Sequence, residues 1–117
     1  MEINKFILKY KTSKMSVEKC CKIKKYLKIE DKVKLIKKYQ DKVKEFVNPY
    51  ADLKVFMSFI FFNLMIIKEY TNIELELTLD EYDQLQENGI VDEILKYIEK
   101  DYAFLLKMLE EINSYEY

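Results

Sequence analysis

Few side chains in this chain of 117 residues are suited to covalent or acid–base chemistry. Cys20 and Cys21 are its two thiols, and the carboxylates Asp80, Glu81, Asp83 and the pair Asp92–Glu93 are the clearest clusters for proton transfer. A thiol becomes nucleophilic when a base or cation favours its thiolate. The chain holds no His and its basic residues are all Lys, so a neighbouring lysine is the only activator on offer. Adjacent residues on a helix point about 100° apart, so the two thiols form neither a ready disulfide nor a chelating pair. At least one is expected to be a small core residue in a reduced compartment. The carboxylates fall at helix beginnings, where the helix dipole and solubility explain them without catalysis. With one Gly, one Pro, no Trp and no Arg, there is no Gly-rich phosphate loop and no guanidinium clamp. The expectation is a non-enzyme with no catalytic residue, no metal site and no cofactor.

Binding surfaces are better represented. Residues 1–45 carry 15 Lys against six acids, and residues 46–117 carry five Lys against 15, so a net charge of −1 conceals a basic and an acidic half. Three readings compete. In the first, the halves pack together and neutralise each other, exposed pairs adding about 0–1 kcal/mol each. In the second, poles of opposite sign mediate protein binding, the basic face of Lys22, Lys24, Lys25, Lys28, Lys34, Lys37 and Lys38 meeting an acidic partner or the acidic face meeting another copy head-to-tail. In the third, Lys22, Lys24, Lys25, Lys28, Lys34, Lys37 and Lys38 neutralise nucleic-acid phosphates. Arg, the usual bidentate reader of guanine, is missing, which restricts that reading to non-specific or RNA-backbone contact.

A second candidate surface is apolar. Phe56, Phe59, Phe61 and Phe62 sit within the most hydrophobic run, Val55–Ile67, and cannot all face one way. Either all four are core, or one or two form the apolar centre of a partner or oligomer interface. The run is thirteen residues between Lys54 and Lys68. As a helix it rises ~20 Å, short of a ~30 Å hydrocarbon core, and Ser58 and Asn63 interrupt it. A buried central helix is expected rather than a membrane span. Asn63 needs a hydrogen-bond partner if buried. Tyr115 and Tyr117 read as a tail or a short docking segment.

The elements that must position these residues are helical. Ile3, Phe6, Ile7 and Tyr10 follow the 3.6-residue period and predict a first helix ending near Thr12–Ser13. Ser16 caps a second, with Val17, Cys20, Cys21, Lys24 and Leu27 inward. A third begins near Ile29–Asp31 with Val33, Ile36, Gln40, Val43 and Val47 inward. Asn48 and Pro49 open a fourth that runs to Tyr70. Ile73, Leu75, Leu77 and Leu79 then alternate with polar residues, the signature of an extended segment with one buried face. No second such run exists, so an isolated connector is expected. Thr78–Glu81 fits a capping box starting a fifth helix, which Gly89 ends. Ile90, Ile94 and Ile98 carry the sixth, and Asp101 caps a seventh with Phe104, Leu105, Met108, Leu109 and Ile112 inward. The prediction is a single all-α domain over residues 1–117, a helical bundle of about six or seven helices with one short extended connector. The start, Met1–Lys5, does not read as a signal peptide, and a cytoplasmic location is expected.

Three segments carry a resemblance: Ile3-Asn4-Lys5-Phe6-Ile7; Glu30-Asp31-Lys32-Val33-Lys34-Leu35-Ile36-Lys37-Lys38; and Tyr70-Thr71-Asn72-Ile73-Glu74 with Tyr82-Asp83-Gln84-Leu85 and Gly89-Ile90-Val91 downstream. Together they resemble small accessory proteins of phages and prophages of low-GC Gram-positive bacteria. The stretch between Lys38 and Asn48 departs from that pattern. The resemblance implies a phage-encoded protein without catalysis, acting in the host cytoplasm, and assigns no binding residue. Such proteins act stoichiometrically, in virion assembly or in disabling a host defence component such as a CRISPR effector. The expected function is therefore protein binding, with Lys-mediated non-specific nucleic-acid binding as the alternative.

Overall fold

A computed structural model describes residues 1–115, with side chains through Ile112; Tyr117 and the side chain of Tyr115 lie outside the described residues. Helix α1 (Ile3–Ser13) buries Phe6 completely and ends at Lys14, whose left-handed backbone (φ 55°) turns the chain. Helix α2 (Val17–Cys20) follows Ser16 and lasts a single turn. The second helix expected to reach Leu27 does not form. From residue 21 to 28 the chain has no helical structure. The N–H of Lys22 donates to the Asn72 side chain (2.9 Å) and that of Lys24 to the Tyr70 carbonyl (2.8 Å). Groups a helix would satisfy internally are thus satisfied across the fold, which removes the reason to stay helical.

Helix α3 (Ile29–Val47) begins where expected, with Glu30 and Asp31 in its first turn. Its inward stripe is rotated from the predicted one. Val33 is exposed, and the buried positions are Lys32, Leu35, Ile36, Tyr39 and Val47. The predicted stripe left out Lys32 because a lysine is rarely buried without a partner. A 3-10 segment, Asn48–Leu53, separates α3 from α4 (Lys54–Tyr70). Pro49 sits in the first turn of that segment, and Tyr50 (φ −121°, ψ 52°) breaks the helix, so α4 starts five residues later than predicted.

Helix α4 is the centre of the molecule. Met57, Ile60, every residue from Phe61 to Ile67, and Tyr70 are buried. Helix α3 packs along it, α6 against another side, and α7 reaches it through Tyr102. By length and composition the stretch Ile29–Tyr70 contains a window apolar enough to cross a membrane, and half of that window is buried within the molecule. Asn63, 2% exposed, is satisfied: its carbonyl accepts the Tyr102 hydroxyl at 2.8 Å.

The extended connector appears as predicted, with Ile73 and Leu75 buried and Glu74 and Glu76 exposed. It is not isolated. Single bridges tie Glu74 to Glu2 in parallel and Thr71 to Ile23 antiparallel, so it lies between the chain start and the 22–24 segment. Among the described residues no strand extends beyond a single bridge. The capping box forms: Thr78 Oγ1 accepts the Glu81 N–H at 3.2 Å, and Glu81 accepts the Thr78 N–H at 2.9 Å. The same carboxylate accepts the Glu76 N–H (2.9 and 3.0 Å), so it clamps both sides of Leu77, which it holds at φ 66°. That left-handed backbone is strained for a branched residue. Helix α5 (Leu79–Gln86) leads to Gly89 at φ 71°, then α6 (Ile90–Tyr97) buries Ile90, Val91 and Ile94. Ile98 (φ −108°, ψ 29°) separates α6 from α7 (Glu99–Tyr115), so Asp101 lies inside the first turn rather than at the cap. The result is an all-α single-domain bundle.

Candidate functional site

Both thiols and the carboxylates Asp80, Glu81 and Glu93 are engaged in structure. Both thiols are free and buried, and burial, followed by the neighbouring Cys20, pushes the Cys21 thiol up to about 11. That shift is opposite to the one an attacking thiol needs. Glu93 accepts the Tyr10 hydroxyl at 2.9 Å and the Val17 N–H at 3.4 Å, fastening α1 and α2 to α6, and that bond is the largest cause raising the Tyr10 pKa. Glu81 is consumed in the clamp at Leu77, and Asp80 accepts the Gln84 amide at 2.7 Å. Among the described residues no three His, Cys, Asp or Glu side chains are placed to hold a metal ion.

At one end of the α3–α4 pair lies a buried ion pair. Lys32, 1% exposed, approaches Asp101 at 3.3 Å. The other Asp101 oxygen accepts the Leu27 N–H (2.8 Å) and the Tyr70 hydroxyl (2.9 Å). Lys32 Nζ also lies 4.1 Å from the Tyr26 ring centroid and 5.1 Å from that of Phe104. Burial, then the bond to Asp101, raises the Tyr70 pKa, so the phenol stays a donor. One carboxylate therefore joins the 21–28 segment, α3, α4 and α7. Tyr26 and Phe104 cover the ammonium while their own rings stay exposed (62% and 44%).

The opposite end is apolar and open. Leu53, Val55, Phe56 and Phe59 are 57%, 89%, 61% and 47% exposed, side by side across the 3-10 segment and the first turns of α4. Beside them a groove of about 440 Å³ runs between α3, α4 and the far part of α7, lined by Val43, Val55, Phe59, Leu109 and Ile112 together with polar side chains including Gln40, Lys44, Lys54 and Ser58. Of the four phenylalanines singled out from sequence, the structure leaves Phe56 and Phe59 at the surface. It buries Phe61 (3%) and Phe62 (0%) against Tyr39, which takes those two out of any contact surface. Leu53 and Val55 were missed. Both lie just after the break at Tyr50, which delays the start of α4.

All seven lysines singled out from sequence are exposed, but they do not form one helical face. Lys22, Lys24, Lys25 and Lys28 belong to the non-helical segment. Lys34, Lys37 and Lys38 lie on the outer side of α3, where exposed Glu30, Asp41 and Glu45 are interspersed and Lys34 approaches Glu30 at 3.8 Å. Acids within the same helix, rather than the acidic half of the chain, temper this group. Tyr26 also went unnoticed, although Lys24-Lys25-Tyr26-Leu27-Lys28 interleaves an aromatic with cations in plain view. No protein-family model, curated protein or solved structure matches the chain.

Proposed function

We propose that this chain is a non-enzymatic accessory protein that acts by stoichiometric binding to a protein partner, with the exposed start of α4 as the centre of the contact. The observation that carries the reading is the cluster Leu53, Val55, Phe56 and Phe59, four large apolar side chains left in water at one site. Contiguous apolar patches of this kind mark interaction surfaces, and aromatics dominate the centres of interfaces. The adjoining groove is lined by five apolar side chains and by Lys44 and Lys54, which suits an amphipathic helix of the partner with acidic residues flanking its apolar face. The engagement of Glu81 and Glu93 in a cap and a clamp, and the burial of both thiols, support the non-enzymatic reading. In the phage setting that the sequence resembles, the partner is a component of host defence, as for an anti-CRISPR, or a virion component.

Calorimetric titration against candidate partners, with wild type and a Phe56→Ser/Phe59→Ser variant, tests this. The expected result is one-to-one binding that weakens at least about tenfold in the variant, the size of a hot-spot loss of ~1.4 kcal/mol or more. Equal affinity of the two proteins would remove the patch from the contact. Light scattering on the chain alone adds a second readout: a dimer that disappears in the variant would assign the patch to another copy of the chain.

A further inference from the structure

At the other end of α3, and independently of the protein-binding reading, we infer a site for single-stranded nucleic acid formed by Lys24, Lys25, Tyr26 and Lys28 together with Phe104. Three observations carry it. First, Tyr26 is 62% exposed while its ring lies 4.1 Å from the buried Lys32 ammonium. Second, Phe104 shares that same ammonium at 5.1 Å and is 44% exposed, so two aromatic surfaces flank one buried cation. Third, Lys24, Lys25 and Lys28 are exposed around Tyr26, and among the described residues none of them has a carboxylate partner. Lys25 lies over a further aromatic, Tyr97, at 4.9 Å.

The backbone of this segment is preorganised. Asp101 holds the Leu27 N–H at 2.8 Å, and the Tyr70 carbonyl holds the Lys24 N–H at 2.8 Å. Binding a flexible strand to a fixed loop needs little further ordering of the protein, which favours affinity. Base stacking on aromatic rings with phosphates neutralised by neighbouring cations is the general mode of sequence-tolerant single-strand binding. Lysine serves as a point charge for phosphate, and stacking requires no guanidinium. A duplex keeps its bases paired and offers no free π-face to Tyr26, and an acidic protein surface would leave the exposed rings unused.

Fluorescence anisotropy with labelled oligothymidylate and oligouridylate on the intact protein tests the site. Neutralising about three phosphates predicts an affinity falling roughly 20-fold between 50 and 200 mM salt. Tyr26→Ala should weaken binding about 5- to 100-fold, and Tyr26→Phe should restore it, since the ring is what stacks. An abasic strand of equal length should bind wild type correspondingly more weakly, a comparison that needs no variant to fold. Lys24→Gln/Lys25→Gln should flatten the salt dependence, whereas Phe56→Ser/Phe59→Ser should leave oligonucleotide binding unchanged. Absence of salt-sensitive binding, or equal affinity for the abasic strand, would overturn the proposal. So would equal affinity for a duplex, or displacement by polyglutamate as effective as by the oligonucleotide at equal charge.

Discussion

The two ends of the α3–α4 pair reverse the usual distribution of polarity in opposite directions. At one end a lysine and an aspartate are buried (1% and 6% exposed); at the other, Phe56 and Val55 stand in water at 61% and 89%. The buried charges are tolerable because each has partners. Asp101 receives the ammonium, a hydroxyl and a backbone N–H, and the ammonium has two aromatic rings. A satisfied buried pair is a weak source of net stability, but it fixes geometry, because any other packing would leave a charge uncompensated. The exposed apolar end has no such internal compensation, and a second surface would relieve it. One end is therefore closed by the chain on itself, and the other leaves its apolar side chains in water.

The largest test of that contrast is Asp101→Ala. Removing the carboxylate leaves Lys32 buried and unpaired, and should cost about 3–5 kcal/mol in denaturant unfolding. A Lys32→Met/Asp101→Asn double variant should lose much less than the sum of its single changes; strict additivity would mean that the pair is not coupled.

Next comes a comparison within α4. Phe62→Ala should cost about 3–5 kcal/mol, as expected for a fully buried ring. Phe56→Ala, six residues earlier in the same helix, should change stability by no more than about 0.5 kcal/mol. A large loss at Phe56 would mean that this end is also closed by the chain itself.

The smallest expected effect is alkaline. Burial raises both the Tyr70 and the Cys21 pKa above their ordinary values, so the folded state holds these protons longer than the unfolded chain. The stability they contribute is complete below their unfolded pKa values and lost as pH rises through the folded ones. For Cys21 the window runs from 9.0 to about 11, and for Tyr70 loss begins above 10.0. Melting temperature should therefore fall from pH 9 upward, and Cys21→Ala should flatten the first part of that fall. An unchanged slope in that variant would assign the loss to other groups.

Much of the local structure was legible in the residues themselves. The Thr78–Glu81 capping box, the left-handed Gly89, the alternation at Ile73–Leu79 and the apolar identity of α4 all rest on interactions within a few positions. Where expectation failed, the deciding partner was distant. The second helix stopped at Cys20 because Tyr70 and Asn72 take up the hydrogen bonds of Lys22 and Lys24. The face of α3 turned because Asp101, far along the chain, makes burial of Lys32 tolerable. Half of the apolar candidate surface, Phe56 and Phe59, was named from sequence, but separating it from Phe61 and Phe62 required the position at which α4 begins.

By itself the amino-acid sequence determined helix content, caps and turns, and the lack of imidazole and guanidinium groups, because these depend on residue type and short spacing. Tertiary structure alone decided which lysine is buried, which phenylalanines meet water, and that Tyr26 stands fixed among cations. Those outcomes depend on which groups from remote segments arrive to share a proton or exclude solvent, and no local pattern encodes that arrival.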